Sequence, residues 1–461
     1  MELKVGVFNV LADGQGLGEF ATLEGDGVLG WGDRGAQVVE ILREMLATYD
    51  VVVTVENDHF FSILEALRSP NLGGDGIPVP IEGAFGRKRK GGGKKDSTCR
   101  RLMRARQSSE AGGLLLRDEH VPDCFDYFFS GAGDGSEPCE ADRGAYLSDD
   151  GIGMYYNSER VLRHECILLA GQSVLPGAGL RDPLVVDVEA DRAVLAVVFS
   201  KHGQEGNTPH AGDGRFVVAG GHLPSGEGMS QEDERRAVAD GAVAGLLHMG
   251  YGVLPIVLAM DSNTCDVYVE RMVTAGHLLA RQRSLAAMLA MHGFTSHVPE
   301  AGAAAFKCFK VRHARGAQPS KYGAFMYVCI DKICLRLPAG GQWRLQSAEP
   351  HSPTVHRCGL GAEDEAELVA IRDGQEAETL RSLFFGVPLT QAVPAFDKDA
   401  RPDAVMQSYP LAWGDRLAER LAGLSEGSRE QFAVLEKLFP NAHMPSDHPA
   451  VGVHFHFSFA Q

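Results

Sequence analysis

Apolar residues recur along this chain in two rhythms. LKVGVFNVL (residues 3–11), DVVVTVEN (50–57), VLPIVLAMDSN (253–263), GAFMYVCIDKICL (323–335) and PAVGVHFHFSF (449–459) are short runs dense in Val, Ile, Leu and Phe. That composition over that length predicts buried strands. DRGAQVVEILREMLATY (33–49) instead spaces Val38, Leu42, Met45 and Tyr49 at the interval of one helix face. SQEDERRAVADGAVAGLLHMG (230–250) opens with Ser230 and Asp233 at capping-box spacing and stops at Gly250, which predicts a second long helix.

The strand-like runs share one feature. Asn9, Glu56, Asp261 and Asp331 each end or interrupt an apolar stretch. A carboxylate at the edge of a core is costly unless paired, hydrogen-bonded or bound to a metal. Three carboxylates and one amide so placed predict polar groups gathered at one end of packed sheets, where α/β proteins build their sites. PSDHPAV (445–451) adds Asp447 and His448 at the mouth of the last run.

The remaining residues set bounds. At 461 residues, 44% hydrophobic and 23% charged, the chain has ample material for a large core. The start, MELKVGVFNV, lacks a basic region followed by an apolar stretch, so no secretory signal is expected. No apolar run reaches the roughly 18 residues that span a bilayer. Nine cysteines without C-x-x-C spacing suit free thiols in a reducing compartment, the cytoplasm by expectation and the nucleus as the alternative.

The net charge of −17 argues against wholesale wrapping of nucleic acid. One stretch departs from it. GRKRKGGGKKDSTCRRLMRAR (86–106) carries ten Lys or Arg against one Asp. It reads as a basic loop, either plainly solvated or a local clamp for a polyanion, in which Arg87, Lys88, Lys94, Lys95, Arg100 and Arg101 would bind substrate. Residues 107–146 and 338–440 fit the strand–helix alternation poorly, despite helical periodicity around DRLAERLAGL (415–424), and read as insertions in one domain covering 1–461. His454 and His456 share a strand face, which permits metal binding, but no third ligand accompanies them.

Taken in order, FNVLAD, VENDHF, GGHLPS, AMDSN, CIDKI and PSDHPAV resemble the endonuclease/exonuclease/phosphatase (DNase-I-like) superfamily, over nearly the whole chain. The NVLA opening at 9–12, Trp31 and Arg34 ahead of the first helix, DDGIGMYYNSERV (149–161) and His222-Leu223 are similar to the branch of nocturnin, the Angel proteins and the carbon-catabolite-repressor deadenylases. That branch usually reads LQE and GDFN where this chain has TVE and MDSN, so the acidic and amide groups persist while their neighbours differ.

The resemblance implies an α+β fold, a four-layer α/β sandwich of two mixed β-sheets packed face to face with helices outside. It implies Mg²⁺, or Mn²⁺ in its place, with Glu56 as principal ligand, Asn9 beside it and Asp447 as a second acidic contact. Asp261 would orient or deprotonate the attacking water, Asn263 and His222 would contact the phosphate, and His448 would contact the scissile group with Asp331 fixing its tautomer. The implied activity is a phosphodiesterase on RNA, most simply a deadenylase-like 3′→5′ exoribonuclease. The alternatives are a phosphomonoesterase or small-molecule phosphodiesterase acting on a nucleotide or cofactor, and a non-catalytic docking module. No protein partner is implied.

Overall fold

The computed structural model describes residues 1–11, 31–57, 59–68, 80–88, 113–114, 125–130, 151–170, 193–202, 214–226, 228–300, 304–312, 324–340, 343–358, 360, 362–373, 437, 439–441 and 443–459. β1 (Glu2–Asn9) and β2 (Val51–Val55) lie side by side in parallel, and β2 is buried at every position. Val5, Val7, Val53 and Val55 point to one face and Phe8 and Val52 to the other, as the two-residue period of a strand requires. Both faces are covered, which is why the runs are continuously apolar instead of alternating with polar residues.

These strands belong to an eight-stranded mixed sheet. Its further members are β3 (Ile81–Lys88), β4 (Gly113–Leu114), β5 (Phe125–Ser130), β6 (Gly151–Asn157), β15 (Trp343–His351) and β16 (Val451–Phe459), in the order β15-β16-β1-β2-β6-β3-β5-β4. The second sheet has six strands: β7 (Val161–Ala170), β8 (Ala193–Lys201), β9 (Arg215–His222), β10 (Ile256–Asp261), β11 (Phe294–Ser296) and β14 (Asp331–Arg336), ordered β11-β14-β10-β9-β8-β7. A separate hairpin joins β12 (Cys308–Arg312) to β13 (Ala324–Val328).

The two sheets pack face to face. Val5, Val7, Val53 and Met154 of the larger meet Leu195, Val218, Val257 and Ile333 of the smaller in one apolar layer. Outside the larger sheet lie α1 (Trp31–Thr48) and α2 (Phe60–Arg68), through Ile41, Leu42, Met45 and Ile63. Outside the smaller lies α3 (Met229–His248), through Val238, Ala242 and Leu246. α4 (Asp266–Thr274), α5 (Ala280–Arg283) and α6 (Leu285–Met291) follow, with α7 (Val355–Cys358) and α8 (Ala362–Asp373) later in the chain. The fold is the four-layer sandwich of two mixed sheets between helices.

Four local expectations are corrected. α3 starts at Met229 with Gly228 as N-cap and no side-chain cap, so Ser230 falls inside the first turn, and Asp233 pairs with Arg283. The run 323–335 is not one strand. The Ser262 amide and hydroxyl draw in the Ile330 carbonyl at 2.9 and 2.6 Å, which breaks the run and starts β14 at Asp331. The basic segment does not begin as a loop at 86, because Gly86, Arg87 and Lys88 extend β3 and pair with β5. Within the expected insertions, residues 113–114 and 125–130 of 107–146 and residues 343–351 of 338–440 are strands of the larger sheet, and so belong to its framework. Lys94, Lys95, Arg100, Arg101 and the segment 415–424 lie outside the described residues.

Two predictions follow from the packing. A Cβ at Gly220 would sit 2.4 Å from Val53 Cγ1 across the sheet interface. Gly220→Ala should therefore cost about 1–3 kcal/mol by urea unfolding, and an unchanged midpoint would contradict this packing. His454 is partly buried between Tyr49 and the His351 ring 4.1 Å away. Burial, His351 and Lys4 lower its pKa from 6.5 to about 4. The unfolded chain then takes up a proton that the folded one refuses, so this term removes stability as pH falls through that window. Between about pH 7 and pH 5, His454→Gln should lose less melting temperature than the unaltered protein. Equal losses would count against it.

Candidate active site

Strand parity places the polar groups. Along β1, positions 5 and 7 face the inter-sheet core, and Asn9 is the next inward position. The same count puts Asp261 after Val257 and Ala259, His222 after Val218 and Gly220, and Asp331 before Ile333 and Leu335. β10 is parallel to β9 and antiparallel to β14, with Asp261 opposite His222 on one side and Asp331 on the other. His222, Asp261 and Asp331 therefore form a row across three strands.

Glu56 breaks the count, since the residue after Val55 would face outward in a continuing strand. It adopts a left-handed φ of 53°, an uncommon conformation for a non-glycine residue. Its Oε1 comes to 3.4 Å from His222 Nε2, which is itself 3.6 Å from Asp261 Oδ2. One donor atom from each of Glu56, His222 and Asp261 lies within 4.8 Å of the others. Asn9 Nδ2 donates to Asp261 Oδ2 at 3.2 Å, and its Oδ1 accepts the Leu11 amide at 2.9 Å.

The last strand runs antiparallel to β1, so the loop before it reaches the same end. Ser446 Oγ donates to the Asn9 carbonyl at 2.5 Å and accepts the His448 amide at 3.2 Å, pinning the turn. His448 Nδ1 donates to Asp331 Oδ2 at 2.8 Å, while its Nε2 lies 3.7 Å from Asp261 Oδ2 and 3.6 Å from Asp447 Oδ2. Asn263 takes a φ of 49°. Its side-chain Nδ2 donates to the Leu223 carbonyl at 2.9 Å, which ties its loop to the strand end carrying His222.

All eight sequence-expected residues, Asn9, Glu56, His222, Asp261, Asn263, Asp331, Asp447 and His448, thus belong to one neighbourhood. Arg87 and Lys88 are placed only as backbone in β3.

Two further residues join them. Cys308 and Lys310, two positions apart on β12, face the site together. Cys308 Sγ lies 3.3 Å from His448 Nδ1, and Lys310 Nζ donates to Asp447 and stands 3.0 Å from His448 Nε2. No motif marks them. The available signal is a lysine between Phe309 and Val311 in a short apolar run.

Burial shapes the electrostatics. Burial raises the Asp261 pKa, but His448, His222, Lys310 and the Asn263 amide outweigh it and hold the carboxyl below its ordinary value. Burial pushes Asp331 up despite His448 beside it. Burial and Lys310 oppose a charge on His448, yet Cys308, Asp331 and Asp447 prevail and raise its pKa well above the usual imidazole value. The dyad thus keeps a proton on the Nδ1–Oδ2 bond. Burial also raises the Cys308 thiol.

The residues present fit a hard divalent cation. Glu56, Asp261, Asp331 and Asp447 are all at most 3% exposed, and Asp331 Oδ1 has no hydrogen-bond partner. Even with both imidazoles protonated, Lys310, His222 and His448 fall one charge short of four ionised carboxylates, before any phosphate enters. Oxygen donors at Glu56 and Asp261 suit Mg²⁺, and the imidazole of His222 beside them also suits Mn²⁺. His454 and His456 belong to neither of the groups able to gather three metal donors among the described residues.

Two supports hold the end of the sandwich. Arg34, 1% exposed, donates to the Val10 carbonyl at 2.6 Å and to that of Leu11. The fully buried Glu232 accepts from Arg235 Nη1 at 2.9 Å, Thr264 Oγ1 at 2.8 Å and the Leu285 amide at 2.7 Å, while Arg235 Nε donates to the Pro224 carbonyl at 2.8 Å. This pair clamps the loops after His222 and Asn263. Arg235→Met, which strands the Glu232 charge, should cost about 3–5 kcal/mol by urea unfolding. A loss below about 1 kcal/mol, the size of a solvent-screened pair, would contradict the clamp.

No protein-family model matches this chain, and no curated protein matches it. Solved structures similar to it include the human nocturnin catalytic domain with bound sulfate, at 12% identity, 99% of this chain, 94% of that one and a TM-score of 0.37. An endonuclease/exonuclease/phosphatase family protein from Bacteroides thetaiotaomicron is similar at 12% identity, 99% and 97% coverage and a TM-score of 0.40. ANGEL2, a 2′,3′-cyclic phosphatase, is similar at 10% identity, 99% and 95% coverage and a TM-score of 0.39. No described helix is long and apolar enough to cross a membrane.

Proposed function

We propose that this protein hydrolyses phosphate esters with the help of a divalent cation, and that its substrate is RNA, shortened from the 3′ end in the manner of a deadenylase. The observation that carries the hydrolase reading is the row His222–Asp261–Asp331, closed by Glu56 on one side and His448 on the other. The motif resemblance and the basic stretch at 86–106 support the RNA reading.

Glu56, with the Asp261 and His222 donor atoms beside it, would hold Mg²⁺ or Mn²⁺, which when bound neutralises phosphoryl charge. The chain's own residues do the rest. Asp261, kept ionised by its neighbours, orients the attacking water and accepts its proton. Asn9 on Oδ2 and the Asn263 amide on Oδ1 fix that carboxylate in place. His448, its Nδ1 bonded to Asp331 and its pKa raised, turns its Nε2–H to the phosphoryl oxygens as negative charge builds there. His222, the most open of the group at 13% side-chain exposure, stands at the entrance, where its imidazole would complete the cation's donor set.

The depth of the site favours a second reading over any attack on the middle of a strand. Asp261, Asp331 and His448 are at most 1% exposed, so a chain end or terminal phosphate reaches them more readily than an internal linkage. A phosphomonoesterase or small-molecule phosphodiesterase acting on a nucleotide or cofactor meets the same condition.

Incubation with Mg²⁺ and 5′-labelled poly(A) should give stepwise shortening. Release of phosphate from nucleotides or dinucleotide cofactors, with RNA untouched, would select the second reading, and no release from any substrate would overturn both. Asp261→Ala and His448→Ala should each lower kcat about 100-fold or more, the scale of a lost acid–base group. Activity that survives either change would contradict these roles.

A further inference from the structure

The site has two halves. On one half, Glu56, Asp261 and His222 bring donor atoms within 4.8 Å of one another. On the other half, Lys310 is fully buried, its ammonium donates to Asp447, itself 1% exposed, and Nζ stands 3.0 Å from His448 Nε2. Desolvating an ammonium is expensive, and a buried lysine persists where carboxylates compensate it. β12 aims Lys310 inward by the same two-residue period that aims Cys308, so its position is set by the strand and not by a flexible reach.

We propose that Lys310 is the resident cation of the Asp447 half. The centre then takes one divalent cation, on the half built by Glu56, His222 and Asp261, and the Lys310 ammonium supplies the second positive charge to the phosphoryl group. This rests on the hydrolase reading above. A second divalent ion at Asp447 would have to displace an ammonium already paired there or sit against it, and the like-charge repulsion is strong in so dry a space. Lys310 also stands beside the His448 nitrogen that faces Asp261 and Asp447, where charge develops on the substrate.

The test is a count of tightly bound Mn²⁺ by electron paramagnetic resonance on the full chain after chelator treatment, separated from weak surface sites by their later saturation. The unaltered protein should bind one ion. Lys310→Met, which frees the Asp447 carboxylate, should bind two, and Lys310→Arg, which keeps the charge, should bind one. In turnover, Lys310→Met should fall at least tenfold at limiting Mg²⁺ and recover partly as Mg²⁺ is raised. Any count other than one for the unaltered protein, or a count of one for folded Lys310→Met, would overturn the proposal. If Lys310→Met fails to fold, Lys310→Gln serves the same comparison, and the unaltered count still decides. The ion count needs no substrate. A shift from one ion to two without turnover would therefore sink the hydrolase reading alone, whereas turnover with two ions in the unaltered protein would sink this inference alone.

Discussion

Asp261 and Asp331 stand directly opposite each other across the ladder between β10 and β14, and like charges so placed push strands apart. His448 relieves this. Its Nδ1 bonds Asp331 at 2.8 Å and its Nε2 lies 3.7 Å from Asp261. Every other element of the site follows from that need. The last strand must run antiparallel to β1 so that its leading loop delivers the imidazole, and Ser446 must fasten that loop to the Asn9 carbonyl. Asp447 arrives on the same turn and brings a further negative charge, which Lys310 meets.

The apolar sandwich makes this acidity tolerable. Valines from β1 and β2 and their partners in β9, β10 and β14 form a dry, well-packed interior. The polar row occupies only the rim-end inward position of each strand, the last of β9 and β10 and the first of β14. Buried arginines then stiffen the rim: Arg34 gathers the carbonyls after β1, and Arg235 with Glu232 gathers the loops after β9 and β10. A rigid frame of this kind holds charged groups that would otherwise spread apart, which is what transition-state stabilisation by fixed charges asks for.

Much of this was legible in the sequence because burial leaves a local signature. Asn9, Glu56, Asp261 and Asp331 stand out as polar residues at the ends of apolar runs, and Asp447 and His448 as titratable neighbours before the last one. What stayed hidden depends on geometry without a local signature. The left-handed turn that redirects Glu56 is not encoded by a glycine. The break before Asp331 is made by Ser262, distant in sequence. Lys310 and Cys308 enter from a hairpin outside both sheets, where the signal is only a lysine in a short apolar run and no motif. The capping-box reading of Ser230 failed for a related reason, since the start of α3 is set by Gly228 and the Arg235 clamp and not by a side-chain cap.

We propose that Glu56, His222 and Asp261 together form the seat of a divalent cation. A crystal soaked in Mn²⁺ and measured at the manganese absorption edge addresses this without reference to any substrate. The account expects an anomalous peak bounded by the Glu56 and Asp261 carboxylates and the His222 imidazole. A peak confined to another part of the molecule, or none at an Mn²⁺ concentration that fills comparable oxygen-donor sites, would contradict it.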